Sequence, residues 1–167
     1  MKLYPMFADL TGRDVLVVGG GDVAARKCGA LLDTGARVTV GSPELNDQLA
    51  QWKRAATLRH IAGHFDESWL EGMWLVIAAT DDVDVNRRVA SAANARRLFV
   101  NVVDNATLSA FHVPAVVDRS PLLIAISSGG AAPAVIACTG CSKLISAASG
   151  RFARPLSTIG APHIWLT

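Results

Sequence analysis

The stretch Val15-Leu16-Val17-Val18-Gly19-Gly20-Gly21-Asp22-Val23-Ala24-Ala25-Arg26-Lys27 decides the fold. A β-branched apolar run enters three glycines, and helix-forming residues follow. This is the strand–turn–helix context that a G-x-G-x-x-G/A pattern requires. Gly19 allows the tight turn, Gly21 lets the backbone approach a pyrophosphate, and Ala24 permits close helix–strand packing. A diphosphate would sit on the free N–H groups at the helix N-terminus, favoured by the helix dipole. Gly19, Gly21, Asp22, Val23 and Ala24 are therefore the candidate cofactor-binding residues. The plain alternative is a glycine-rich turn that holds no ligand.

Outward from this turn, two signals alternate. Apolar runs at Val15–Val18, Arg37–Val40, Trp74–Ala79 and Leu98–Val103 read as buried strands, and Thr57–Ile61 reads as another. Such near-continuous runs suit a parallel sheet covered on both faces. Val23–Leu32, Glu44–Ala55 and Val83–Arg96 read as helices. Gly35 follows the first as a C-cap, and Asp81 or Asp82 can cap the third. The alternation predicts an α/β fold, a doubly wound Rossmann-type parallel sheet in the order 3-2-1-4-5.

Two further segments fall where a nucleotide would lie. An acid should stand about 20 residues after the glycines to bind the ribose hydroxyls. Here the sequence reads Gly41-Ser42-Pro43-Glu44. Pro43 and Glu44 are candidate cofactor contacts, and Glu44 reads equally well as a first-turn helix acid. No arginine immediately follows to welcome a 2′-phosphate, so NAD is expected rather than NADP. The fourth run ends in Ala78-Ala79-Thr80-Asp81-Asp82. Ligands of open α/β sheets bind beyond the carboxyl ends of the strands, which makes Thr80 a candidate contact.

Beyond Asp104 the pattern changes. Phe111–Val117 and Leu122–Ser127 are strand-like and are joined by Asp118-Arg119-Ser120-Pro121, so a hairpin is expected. Residues 1–133 carry 13 basic and 14 acidic residues, whereas 134–167 carry three basic residues and no acid. The chain thus reads as a nucleotide-binding domain over 1–112, a hairpin element for dimerisation and substrate over 113–133, and an atypical tail over 134–167.

Composition excludes several classes. The 167 residues are 51% hydrophobic and 18% charged, with a net charge of +2. That is neither a disordered composition nor an electrostatic footprint for nucleic acid. No apolar run is long enough to predict a membrane span, and Met1-Lys2-Leu3-Tyr4-Pro5-Met6 lacks a secretory h-region. Three cysteines are too few for a disulfide scaffold, and a cytoplasmic setting is expected. Metal ligation has no strong support. His60 and His64 bracket Gly63 in a strand or loop, while His112 and His163 are isolated. Cys138-Thr139-Gly140-Cys141 lacks a second ligand pair. Cys28 reads as packed core.

Two segments carry polar groups in suggestive places. Asp104 follows the fifth run, and by spacing alone it reads as a loop-capping aspartate. Ser127-Ser128-Gly129-Gly130 follows an apolar strand. Its hydroxyls and N–H groups can bind carboxylates, and a turn without a ligand fits nearly as well. A phosphate on Ser128 would place negative charge there and hinder an anionic substrate.

Several motifs now occur in order: Gly19-Gly20-Gly21-Asp22-Val23-Ala24-x-Arg26-Lys27, Ala78-Ala79-Thr80-Asp81-Asp82, Asn101-Val102-Val103-Asp104, Phe111-x-x-Pro114-Ala115, Asp118-Arg119 and Ser127-Ser128-Gly129-Gly130-x-x-Pro133. The series resembles the precorrin-2 dehydrogenase/sirohydrochlorin ferrochelatase family, the N-terminal module of siroheme synthase, over residues 1 to about 136. The resemblance implies an oxidoreductase and a lyase in one module of siroheme biosynthesis. Precorrin-2 is oxidised with NAD⁺ to sirohydrochlorin, and Fe²⁺ then enters as the chelatase substrate to give siroheme. It implies a homodimer whose later segments help close a tetrapyrrole cleft. It makes Ser127, Ser128, Gly129 and Gly130 substrate-binding residues and Asp104 the catalytic residue of both reactions. Oxidation releases a proton, and metal insertion displaces two pyrrole N–H protons, so one positioned carboxylate can serve both.

The family continues with a long charged helix, whereas this chain reads Ala134-Val135-Ile136-Ala137-Cys138-Thr139-Gly140-Cys141-Ser142-Lys143 and then a Ser/Gly/Pro-rich end. A shifted reading frame in the coding DNA would produce such a change. The alternative expectation is a catalytically impaired or regulatory NAD-binding protein.

Overall fold

A computed structural model describes residues 3–119, 121–127 and 164–165. Strand β1 (Asp14–Val18) shows why the apolar runs are continuous. Successive side chains of a strand point to opposite faces. Val15 and Val17 enter one core, and Leu16 and Val18 enter another. Both faces of the sheet are covered, so neither set can be polar.

The sheet comprises β1, β2 (Arg37–Ser42), β3 (Arg59–Ala62), β4 (Leu75–Ala78) and β5 (Phe99–Val102). Its order is β3-β2-β1-β4-β5, all parallel. This is the expected doubly wound Rossmann-type order. Helices α1 (Asp22–Asp33) and α2 (Asp47–Arg54) supply Ala24, Cys28, Leu31 and Leu49 to the first core. Helix α3 (Val83–Ala95) supplies Val89, Ala90, Ala92 and Ala93 to the second. An unanticipated 3₁₀ turn, Glu67–Leu70, brings in Leu70, which is 1% exposed. The chain reverses direction across the sheet between β1 and β4, so the carboxyl ends of these strands form the topological switch point.

Most boundaries shift by one or two residues from the sequence expectation, and three of the shifts have a clear local reason. Helix α2 starts at Asp47 rather than Glu44 because Asn46 caps it, its side-chain oxygen accepting from the Leu49 N–H at 2.9 Å. Strand β3 starts later because the chain leaves α2 through Ala56 at φ 55°, with the Thr57 N–H donating to the Trp52 carbonyl at 3.0 Å. The hairpin begins at Ala115 rather than Phe111. The Phe111 carbonyl accepts instead from the Asn101 side-chain amide at 2.9 Å.

The chain divides into two compact units, Met1–Phe111 and His112–Thr167. The second contains the expected hairpin, β6 (Ala115–Arg119) and β7 (Leu122–Ile126), with Arg119 opposite Leu122. The two-residue strand β8 (Ile164–Trp165), not foreseen in the tail, pairs antiparallel with β6. Among the described residues, no helix is long and apolar enough to cross a membrane.

Candidate nucleotide site at the carboxyl edge of the sheet

The three glycines perform three different tasks. Gly19 sits at φ 134°, and a Cβ there would stand 2.3 Å from the Ala79 carbonyl oxygen. Only glycine fits both the conformation and the close approach to the end of β4. Gly20 is pressed against the segment after β2, where a Cβ would lie 1.8 Å from the Glu44 carbonyl oxygen. Its own carbonyl accepts from the Asn46 N–H at 2.8 Å. Gly21 opens onto free space, with nothing within 4 Å of a built Cβ.

Gly21 is also the N-cap of α1, and it offers no side-chain cap. The first intrahelical bond runs from the Ala25 N–H to the Gly21 carbonyl at 3.0 Å. The N–H groups of Asp22, Val23 and Ala24 therefore have no partner within the helix. They stand at the positive end of the helix dipole beside the open side of Gly21. Ala24 is fully buried beneath them, so α1 rides close on the sheet. Asp22 would repel an anion if its carboxylate lay across these donors. Instead it accepts from the Asn46 side-chain amide at 2.8 Å.

The structure brings Pro43, Glu44 and Thr80 to the same edge. Pro43 and Glu44 are exposed and lie between β2 and α2. Glu44 is three residues outside α2, which removes the reading of it as a first-turn helix acid. The segment is shaped by the Ser42 hydroxyl, which donates to the Glu44 carbonyl at 2.7 Å. His60 steadies it from β3. The Ser42 carbonyl can only accept and the Lys53 ammonium can only donate. His60 Nε2 therefore donates to the former at 3.0 Å, and Nδ1 accepts from the latter at 3.1 Å.

Thr80 sits in the turn between β4 and α3. Its hydroxyl is 2.8 Å from Asn86 Oδ1, and the Asn86 side-chain amide donates to the Thr80 carbonyl at 2.8 Å. The Thr80 hydroxyl thus shapes the loop. Asp82 is the α3 cap, accepting from the N–H groups of Asp84 and Val85 at 2.9 and 3.1 Å.

Asp104 is exposed and occupies the turn after β5 at φ 57°, a conformation aspartate tolerates better than most residues. The turn is anchored by the Val103 N–H on the Ala78 carbonyl at 3.0 Å and by the Asn105 N–H on the Val102 carbonyl at 3.1 Å. The edge that carries Gly19–Ala24, Pro43–Glu44 and Thr80 therefore also carries this carboxylate. Ser127 is exposed at the end of β7, while Ser128, Gly129 and Gly130 lie outside the described residues. Cys138, Cys141 and His163 lie outside them as well. Cys28 is wholly buried in the first core, and burial pushes its thiol up to about 12.

Sequence reasoning passed over Gly20, Asn46 and Asn86. Asn46 had a readable signal, an Asx residue before a polar helical start. Gly20 and Asn86 had none, because their roles depend on atoms brought from 24 residues away in one case and from a side-chain lock in the other.

A family model described as "Putative NAD(P)-binding" matches residues 6–115. The chain belongs to this family. Within it, the chain is 56% identical over 134 residues to a siroheme synthase of Xylella fastidiosa (strain M12), covering 80% of this chain and 28% of that protein. It is 51% identical over 133 residues to a siroheme synthase of Escherichia coli O139:H28 (strain E24377A / ETEC), covering 80% of this chain and 29% of that one. The chain thus spans less than a third of the length of these relatives. Its fold resembles the solved structure of SirC, precorrin-2 dehydrogenase, with a TM-score of 0.68 at 28% identity, covering 91% of this chain and 72% of that chain. The resemblance drawn from the motifs is borne out, and the NAD(P)-binding match spans the positions of all the candidate nucleotide contacts named above.

Proposed function

We propose that this chain is a precorrin-2 dehydrogenase of siroheme biosynthesis that uses NAD⁺, with Fe²⁺ insertion into sirohydrochlorin as its second activity. One observation carries the reading. An uncapped helix N-terminus, open at Gly21, shares one sheet edge with an exposed carboxylate at Asp104. The similarity to SirC, precorrin-2 dehydrogenase, and to siroheme synthases supports it.

The residues divide the work. The N–H groups of Asp22, Val23 and Ala24 take the diphosphate, Gly19 and Gly21 let it approach, and Pro43 and Glu44 meet the ribose. Thr80 flanks the nicotinamide end. NAD⁺, when bound, supplies the acceptor for two electrons and one hydrogen of the substrate. Asp104 takes the proton that the oxidation releases, and in the second reaction it accepts or relays the two N–H protons that the ferrous ion displaces. Ser127, Ser128, Gly129 and Gly130 hold the tetrapyrrole carboxylates. The segment 1–112 binds nucleotide, and the hairpin over 113–133 joins two copies into a homodimer.

The test is an anaerobic assay with precorrin-2 and NAD⁺ that follows sirohydrochlorin and NADH together. Equal appearance of both is expected. In Asp104→Ala, turnover falls by about 100-fold or more while NAD binding and melting temperature hold. Undiminished turnover in that variant removes Asp104 from the chemistry. The second reading, an NAD-binding protein without turnover, rests on residues 134–167, whose sequence departs from the charged pattern expected of the family. NAD binding with neither product formed would select it.

A further inference from the structure

Pro43 and Glu44 lie past the last ladder position of β2, so their placement depends on what holds the two ends of the segment. Pro43 has no N–H to offer. Behind it, the Ser42 carbonyl accepts twice, from the Gly63 N–H at 3.2 Å and from His60 Nε2 at 3.0 Å. Ahead of it, the Glu44 carbonyl accepts from the Ser42 hydroxyl at 2.7 Å. Ser42 is 3% exposed, so both of its groups need partners within the protein.

His60 is where these bonds meet. In register it stands beside Val40, whose side chain enters the core that α2 covers. The imidazole therefore shares a face with α2, while Arg59 and Ile61 point the other way. Its Nε2 lies 3.0 Å from the Ser42 carbonyl and 3.4 Å from the Ser42 hydroxyl. Both contacts use one nitrogen, so the tautomer decides between them. With the proton on Nε2, the ring donates to the carbonyl and leaves the hydroxyl to hold Glu44. With the proton on Nδ1, Nε2 carries a lone pair. It then opposes the carbonyl and can only accept from the Ser42 hydroxyl, whose single proton must leave the Glu44 carbonyl. Lys53, in the last turn of α2, decides the matter. Its ammonium can only donate and stands 3.1 Å from Nδ1, so the proton belongs on Nε2.

We propose that Lys53 and His60 are a positioning pair for the cofactor. Lys53 sets the tautomer of His60, and His60 thereby keeps the Ser42 hydroxyl on the Glu44 carbonyl and the segment in place. This rests on the reading that Pro43 and Glu44 meet the ribose of NAD. The pair acts on cofactor affinity and leaves the reacting end of the nicotinamide alone.

The experiment measures NAD binding by titration calorimetry and steady-state turnover in variants of the full chain. In Lys53→Met, the NAD Kd and the KM for NAD⁺ should both rise about threefold while kcat holds. His60→Gln keeps an N–H donor near the position of Nε2 and has no tautomers, so its NAD Kd should stay within about twofold of wild type. In the His60→Gln background, Lys53→Met should then change nothing. An equal loss in both backgrounds would make Lys53 an independent contact and overturn the pair. A lower kcat at unchanged KM for NAD⁺ also overturns it. The tautomer is read without any nucleotide, from long-range ¹H–¹⁵N spectra with the imidazole neutral. The Nε2–H form is expected in the wild type, and a larger share of the Nδ1–H form in Lys53→Met. An Nδ1–H imidazole in the wild type overturns the proposal whatever the affinities are. Glu44→Ala tests the underlying reading by itself: an unmoved NAD Kd there removes this segment from the ribose, whichever tautomer His60 holds.

Discussion

The two ends of the five-stranded sheet are built from the same strands and solve opposite problems. At the amino edge, polar groups are turned on one another. The Arg37 guanidinium holds both oxygens of Asp14, and Arg13 stacks 4.3 Å over the Trp74 ring. Backbone bonds from Gly12 to Gly35, Arg37 to Arg13 and Trp74 to Asp14, at 2.8–2.9 Å, tie the chain down. At the carboxyl edge, the side chains that could close the helix N-terminus are glycine or are drawn aside, as Asp22 is by Asn46. One end stabilises the fold, and the other leaves donors and a carboxylate exposed for something else to satisfy.

This contrast can be broken by substitution. The largest effect belongs to Gly19→Ala, which combines φ 134° with a 2.3 Å approach to the Ala79 oxygen. It should cost about 3 kcal/mol in denaturant melts and abolish NAD binding, since the turn cannot keep its path. Gly21→Ala separates site from fold. With nothing within 4 Å and φ −90°, the methyl fits and stability should hold. It enters the space proposed for the diphosphate, so NAD affinity should weaken about tenfold, or about 1.4 kcal/mol, by titration calorimetry. An unchanged Kd would move the nucleotide elsewhere. Asp82→Ala removes a cap near the edge but outside the site. Stability should fall by about 1 kcal/mol and the NAD Kd should not move.

The smallest effect lies at the amino edge. Hydrogen bonding to Arg37 holds the Asp14 carboxyl below its ordinary range. A carboxyl depressed in the folded state contributes stability above its unfolded pKa, and loses it as pH falls through the folded one. Asp14→Asn should therefore lower the melting temperature slightly at pH 7 and leave it unchanged near pH 2. Because the pair is exposed, added salt should shrink the difference. NAD binding should be indifferent to it.

The sheet was legible because burial on both faces leaves long apolar runs and each crossover helix carries its own periodicity. The strand order followed from the alternation together with the glycine turn. What escaped depends on contacts between distant segments. The start of α2 is decided by Asn46, whose cap competes with a helix that could begin at Glu44. The role of Gly20 depends on a carbonyl 24 residues away. The Thr80 hydroxyl has a second task that spacing alone does not show, a hydrogen bond to Asn86 of the next helix. Asp104 by spacing alone is a loop residue, and only its shared edge with the glycine turn makes it more.

Asn46 serves three segments at once. It starts α2 through Leu49, holds the Gly20 carbonyl through its own N–H, and restrains the Asp22 carboxylate through its amide. The cradle is therefore assembled when the domain folds rather than when a nucleotide arrives. A ligand entering it finds its donors already aimed and spends little of its binding energy on ordering the protein.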